Sequence, residues 1–251
     1  MSECVAFLKD VLTPSSNIGR SNERITVTLT FAQSLDAKIA GLGKQQLILS
    51  GKESMLLTHW MRSMHDAILI GVGTALNDDP QLNVRLLPPE GNHIAPQPII
   101  LDSTLRFQPS SKLLKNFRAK QGRQPWIVTK YHENPPAEYV ERKQTLEAEG
   151  AVIIPVEGSG GHLSVSALLE ALYQRNVRSL MVEGGATVIS SFLISGHVDN
   201  LIVTVAPTFV GEEGLSYEVG GANTPLPSME HLNSLVVGRD TVVAWKVLHP
   251  I

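Results

Sequence analysis

The segment Ala67–Arg85, AILIGVGTALNDDPQLNVR, constrains the fold more than any other part of the 251-residue chain. Ala67 to Ile70 is a short apolar run without helical period that leads into Gly71-x-Gly73-Thr74. It reads as a buried strand whose exit turn lets a ligand approach the backbone. Thr74 and Asp78 are spaced to share one face of a helical turn, which Pro80 ends. As a dinucleotide fingerprint the segment is incomplete. Leu76 stands where the third glycine belongs, and the acidic residue about 20 positions on, Glu90, lies in a Pro/Gly loop instead of at the end of a second strand. The segment therefore predicts an α/β protein that is not a standard Rossmann domain, with a plain tight turn as the bland alternative.

A second segment repeats the pattern. Leu180–Phe192, LMVEGGATVISSF, is again a buried strand running into glycines and a helix. Gly184 and Gly185 free backbone N–H groups at the helix start and Thr187 adds a hydroxyl, a combination that favours phosphate, pyrophosphate above all. Glu183 would oppose an anion but suits the hydroxyls or amino groups of a different ligand. If the two strands are neighbours, both loops converge at the carboxyl ends of the sheet, where open α/β sheets place ligands. A structural strand-to-helix turn is the alternative here too.

Around these segments, strands and helices alternate. Residues 24–32 set Ile25, Val27, Leu29 and Phe31 against three threonines, a strand signal. Further strands are expected at 98–101, 126–129, 151–155, 179–182 and 201–205. Helices are expected at 52–65, with Ser50 as N-cap, and near 137–149, 164–176 and 186–195. Such alternation implies parallel strands with crossover helices. Residues 232–237 and 241–248 flank Gly238-Arg239-Asp240 and read as an antiparallel hairpin. The expected sheet is mixed and mostly parallel, flanked by helices. Residues 1–22 are expected to be an N-terminal arm, flexible or helical, and 23–251 a single domain.

Composition narrows the function. A net charge of −3 and 5% aromatic residues argue against a nucleic-acid surface. Cys4 is the one cysteine, so neither a disulfide nor a cysteine-rich metal site is expected, and a reducing, cytoplasmic setting fits. No run approaches the roughly 20 apolar residues that span a bilayer. The eight histidines form no His-x-His or His-x-x-x-His pair, so no metal is expected. Gly-x-Ser-x-Gly and Walker glycine loops are missing, as is the deaminase His-x-Glu with Pro-Cys-x-x-Cys. What survives is nucleotide binding by a cofactor that carries its own chemistry, hydride transfer above all.

Several ordered motifs then resemble one family. They are Ala32-x-Ser34-Leu35-Asp36-x-Lys38-Ile39-Ala40; Arg62 before Asp66 to Thr74; Asp78-Asp79-Pro80-x-Leu82-x-x-Arg85; Asp102-Ser103-x-Leu105-Arg106; Glu183-Gly184-Gly185-Ala186; and Val198-Asp199 with Ala206-Pro207 and Gly211. Over about residues 25–248 they resemble the pyrimidine reductase of riboflavin biosynthesis, with Ala37 standing where the family pattern has glycine. The resemblance implies a dihydrofolate-reductase-like fold, NADPH as reductant, a homodimer, and reduction of the ribosylamino group of a diaminopyrimidine ribose 5-phosphate to a ribitylamino group. It looks like the stand-alone fungal or archaeal type, which acts before deamination.

By the same resemblance Thr74 and Asp78 contact the cofactor and Gly184, Gly185, Ala186, Thr187 and Val188 cradle its phosphates, with Ser103, Arg106 and Ile153 lining the same cofactor. Ser50, Arg62, Leu82, Arg85 and Glu183 are the implied substrate contacts. Arginine forks suit a ribose 5-phosphate, which supports Arg62 and Arg85 independently. Asp36, Asp79 or Glu183 is the expected proton carrier during ring opening, or else a hydrogen-bonding anchor. Action on the deaminated pyrimidine or on a pterin or folate, and a non-enzymatic NADPH-binding regulator, stand as alternatives.

Overall fold

Nine strands form one central sheet, and their order brings the two glycine segments side by side. The computed structural model describes residues 2–13, 24–159, 162–219 and 227–248. Helix α1 (Ser2–Leu12) precedes β1 (Thr26–Gln33), α2 (Lys52–Ser63), β2 (Ala67–Gly71) and α3 (Val72–Asp78). The chain continues through β3 (Gln97–Leu101), α4 (Lys112–Arg118), β4 (Trp126–Lys130), α5 (Ala137–Ala148) and β5 (Val152–Val156). Two short strands, β6 (Gly158–Ser159) and β7 (His162–Leu163), pair outside the main sheet. Then follow α6 (Val165–Tyr173), β8 (Ser179–Glu183), α7 (Ala186–Ser195), β9 (Asn200–Val205), β10 (Ser228–Val237) and β11 (Asp240–Leu248).

The strand order is β10-β11-β9-β1-β8-β2-β3-β4-β5. Every pair from β9 to β5 is parallel, while β11 runs antiparallel to both β9 and β10. This is the mixed, mostly parallel sheet with an antiparallel C-terminal hairpin that the alternation predicts. Helices cover both faces, because a strand points successive side chains to opposite sides. In β2, Ile68 and Ile70 join Phe7, Leu57, Met61, Leu114 and Leu146 in one core, and Ala67 and Leu69 join Leu168, Leu172, Ile189 and Phe192 in the other. Burying each large apolar side chain contributes about 1.5–3 kcal/mol.

Of the expected arm, Ser2–Leu12 forms a helix that buries Phe7, Leu8 and Val11; residues 1 and 14–22 lie outside the described residues. No helix among the described residues is long and apolar enough to cross a membrane.

Four local features depart from or refine the expectations. Gly51, not Ser50, is the N-cap of α2, and its N–H donates to Asp240 Oδ2 at 2.7 Å while the Ser54 hydroxyl donates to the same oxygen at 2.6 Å. Asp240 pairs with Val237, so the hairpin turn is Gly238-Arg239, with Gly238 at φ +61°. Helix α4, which the periodicity did not reveal, starts at an Ser111 N-cap whose hydroxyl accepts from the Leu114 N–H. Ala37 adopts φ +56° in a turn closed by the Ser34 N–H to Lys38 O bond, a conformation that costs a residue with a Cβ about 1–2 kcal/mol.

Candidate active site

Strands β2 and β8 are parallel neighbours, with Leu69 opposite Val182, so the exit loops of both strands open at the same edge of the sheet. They also touch. A Cβ at Gly71 would stand 2.8 Å from Val188 Cγ2, one at Gly185 2.9 Å from Thr74 Oγ1, and one at Gly184 2.6 Å from Ile189 Cγ1. A side chain at Gly71 or Gly185 would force the loops apart, and one at Gly184 would strike Ile189 on the helix that its own loop leads into. Gly185 is the N-cap of α7 without a side-chain cap, and the first N–H groups of a helix lack intrahelical partners. Gly71 caps α3 in the same way, and one turn of α3 carries Thr74 and Asp78 on one face.

A cleft of about 610 Å³ lies over these loops, lined by Gly71, Gly73, Thr74, Asp78 and the whole Gly184–Val188 segment. A second cavity of about 490 Å³ is lined by Ser50, Thr58, His59, Arg62 and Glu183. Thr74, Asp78 and Gly184 line both. The two chambers thus share a wall, and burial pushes the Asp78 carboxyl above its ordinary pKa while the Asn77 amide draws it down.

In the second chamber Arg62 binds Glu183 through two parallel hydrogen bonds of 2.8 Å and donates a third, of 3.2 Å, to Asn83 O. Burial works against the Arg62 charge, and the Glu183 carboxylate outweighs it, holding the guanidinium above its usual pKa. His59, three residues before Arg62 on α2, is 1% exposed, and its Nδ1 has no hydrogen-bond partner among the described residues. Burial first, then Arg62 and Arg85, push its pKa down to about 4 against the pull of Glu183.

Other residues expected at the site go elsewhere. Asp36 accepts from the Ser34 hydroxyl and from the Val210 and Gly211 N–H groups, which tie the loop after β1 to the loop after β9. The Ser34 and Gly211 bonds hold its carboxyl down to about 2, so it has no proton to give near neutrality. Asp79, in a left-handed conformation at φ +41°, accepts from the Lys112 N–H at the start of α4. Neither carboxylate lines either chamber.

Leu82 is 2% exposed and belongs to the core, so its side chain is not a free contact surface. Arg85 is exposed, bonded to Asn83 Oδ1, and acts on His59 electrostatically without lining either chamber. Ser103 and Arg106 follow β3 at the same edge of the sheet but do not line the cleft. Ile153 lies on β5, three strands from β2, packed against the core. Residues that the sequence reading passed over are Gln46 and Leu47, which line both chambers, and His59. The signal for His59 was its three-residue spacing to Arg62 on a helix; a search for metal-ligand spacings does not detect it.

Comparison with known proteins agrees with this fold. The family described as the RibD C-terminal domain matches residues 25–243. The 2,5-diamino-6-ribosylamino-4(3H)-pyrimidinone 5′-phosphate reductase of Debaryomyces hansenii is 36% identical over 220 residues, covering 86% of each chain. A riboflavin biosynthesis reductase of Saccharomyces cerevisiae superposes with a TM-score of 0.71 at 28% identity, over 97% of this chain and 98% of the other. An Acinetobacter baumannii RibD structure shares the fold with a TM-score of 0.75 at 23% identity, and the chain spans 58% of its length.

Proposed function

This chain belongs to the RibD C-terminal domain family, and we propose on that footing that it reduces the ribosylamino side chain of 2,5-diamino-6-ribosylamino-4(3H)-pyrimidinone 5′-phosphate to the ribitylamino product, with NADPH as reductant. The observation that carries the reading is the pair of chambers sharing Thr74, Asp78 and Gly184, one walled by a glycine-capped helix start and the other by Arg62 and Glu183. A reductase needs two ligands held edge to edge, and positioning them alone is worth up to about 7–11 kcal/mol in the best intramolecular models.

The residues of the first chamber fit the cofactor. Gly71 and Gly185 have no room for a Cβ, and the N-terminus of α7 presents N–H donors and a dipole favourable to phosphate. NADPH, when bound, supplies the hydride. Gly184 to Val188 would hold its phosphates, and Thr74 and Asp78 would fix its reactive end against the second chamber. There Glu183, kept in place by Arg62, accepts hydrogen bonds from the hydroxyls of the opened ribosyl chain, and Ser50 and Arg85 contact the substrate from the rim. Asp36 and Asp79 serve the loops, which leaves Glu183 as the one expected carboxylate at the reacting end. Ser103, Arg106 and Ile153 remain proposed as contacts for a more distant part of the cofactor.

We read residues 23–251 as one reductase domain acting as a homodimer in the cytoplasm, a reading the family resemblance supports. The test is NADPH oxidation with the diaminopyrimidine ribosyl phosphate, its deaminated analogue and dihydrofolate side by side. Turnover of the first is expected. Turnover of dihydrofolate alone, or NADPH binding without oxidation, would overturn the reading.

A further inference from the structure

The edge of the sheet opposite the glycine loops also opens into a cavity, of about 410 Å³, and no residue that lines it lines either chamber. Its walls come from the segments that lead into β2 and β8 and from the first residues of β3 and β4, Gln97 and Trp126. Strands β8, β2, β3 and β4 are parallel, so this cavity sits at their amino ends while the glycine loops sit at the carboxyl ends of β2 and β8. Small-molecule sites are concave, of about 300–1,000 Å³, and mostly apolar with a few placed polar groups.

The inner wall is apolar and includes two ring systems. His65 is 8% exposed, and both its ring nitrogens are engaged inside the fold, Nδ1 with Met61 O at 2.8 Å and Nε2 with Thr28 Oγ1 at 3.0 Å. Ring carbon is what it has left for the cavity. Trp126 and Met64, half-buried, and Val177, buried, add apolar surface. Ile94, 74% exposed, lines the same cavity.

The rim is cationic. Arg123 and Arg175 line the cavity and are exposed. Each tethers its guanidinium to a main-chain carbonyl, Arg123 to Ala95 O at 3.3 Å and Arg175 to Ala171 O at 2.9 Å. Neither pairs with a carboxylate among the described residues, whereas Arg24, Arg62, Arg118 and Arg142 each do. Asp66, the carboxylate on the lining, accepts the Arg178 and Ser179 N–H groups through Oδ2, at 2.8 and 2.9 Å. Two tethered forks against one carboxylate already bonded to backbone leave the rim positive. Such a rim over a wall of ring surface matches a flat ring system that carries an oxyanion.

We propose that this cavity is a second ligand site, separate from both chambers, which binds an aromatic phosphate with its ring against His65 and Trp126 and its anion on the remaining N–H donors of Arg123 and Arg175. Such a site is independent of which reaction the chambers carry out.

The test is isothermal titration calorimetry of the full chain with 1-naphthyl phosphate, 1-naphthol and inorganic phosphate, each with and without excess NADPH. The naphthyl phosphate should bind at least about tenfold more tightly than either control, and NADPH should not displace it. Arg123→Ala and Arg175→Ala should each weaken it about tenfold, the loss expected of a charge-assisted hydrogen bond. Both positions are exposed, so the variants should keep the circular dichroism and the NADPH binding of the parent protein. Ile94→Asp sets a negative charge on the same lining and should weaken the naphthyl phosphate more than the naphthol.

No binding of the naphthyl phosphate at up to about 1 mM would overturn the proposal. So would an affinity unchanged in both arginine variants, or displacement by NADPH, since either places the probe elsewhere. Inorganic phosphate binding as tightly as the naphthyl phosphate would also overturn it, by leaving the ring surface without a role.

Discussion

Arg62 and Glu183 meet prong to prong, Nε to Oε1 and Nη2 to Oε2, both at 2.8 Å, and so join the end of helix α2 to the last residue of strand β8. The third donor of the same guanidinium reaches Asn83 O, which ties in the segment leading to Arg85. Three stretches distant in sequence are therefore held by one side chain. A fork that sequence reasoning assigned to phosphate is largely committed to a carboxylate before any ligand arrives.

The pair should behave as a partly buried one, since the side chains are 11% and 23% exposed. Glu183→Gln leaves the guanidinium short of its charged acceptor and is expected to destabilise the protein by about 1–3 kcal/mol. In a urea-unfolding double-mutant cycle with Arg62→Met, the two losses should fail to add by about 1 kcal/mol or more. Strict additivity would mean that the pair does not couple α2 to β8.

Gly185→Val drives a side chain toward Thr74 Oγ1, which stands 2.9 Å from where even a Cβ would sit. The two glycine loops must separate, and NADPH binding should fall by at least about a hundredfold while far-ultraviolet circular dichroism stays native. A normal NADPH titration in this variant would remove the Gly184–Val188 segment from the cofactor site.

Arg85 is exposed and bonded only to Asn83 Oδ1 among the described residues. Arg85→Ala should change stability by no more than about 0.5 kcal/mol, as surface substitutions do. KM for the phosphorylated substrate should nevertheless rise, with NADPH affinity retained. An unaltered KM would end the phosphate role of this residue.

His59 titrates at about 4 in the folded protein, below its ordinary 6.5. Between those values the unfolded chain takes up the proton first, so stability falls as pH drops from about 6.5 to 4 and is unaffected above that window. His65 is also held low by burial and adds to the same slope. Urea denaturation from pH 7.5 down to 4 should therefore give a shallower, not flat, dependence in His59→Asn. Parallel curves for variant and parent would show that His59 is not held neutral by the fold.

Asp36 has the same sign in a lower pH window. Its folded pKa of about 2 lies below the ordinary 3.8, so its contribution is complete above that value and is lost as pH falls toward 2. Asp36→Asn should lose that part of the acid sensitivity and loosen the 209–211 loop, with the KM for NADPH little changed. A collapse of kcat with the loop intact, measured by hydrogen exchange, would return Asp36 to the chemistry.

Much of the fold was legible because the signals are local. Ala67–Ile70 and Leu180–Val182 read as strands from uninterrupted apolar runs, their glycine exits from backbone freedom, and the parallel sheet from helices that alternate with strands. The missing third glycine at Leu76 correctly told against a Rossmann domain. Helix α4 escaped because its seven residues carry too little periodicity to stand out.

Choice of partner was not legible, because it is made between residues far apart in the chain once they have left water. Asp240 caps α2 from 189 residues away, where Ser50 was the nearest local candidate. Asp36, Asp79 and Glu183 were equivalent carboxylates in the sequence. Folding gave two of them backbone N–H groups and set the third against Arg62 on a cavity wall. Leu82 went into the core, and His59 emerged as a buried ring with an unpaired nitrogen. Period and turn chemistry act over a few residues and are written in the sequence; desolvation and pairing depend on neighbours that only the tertiary structure supplies.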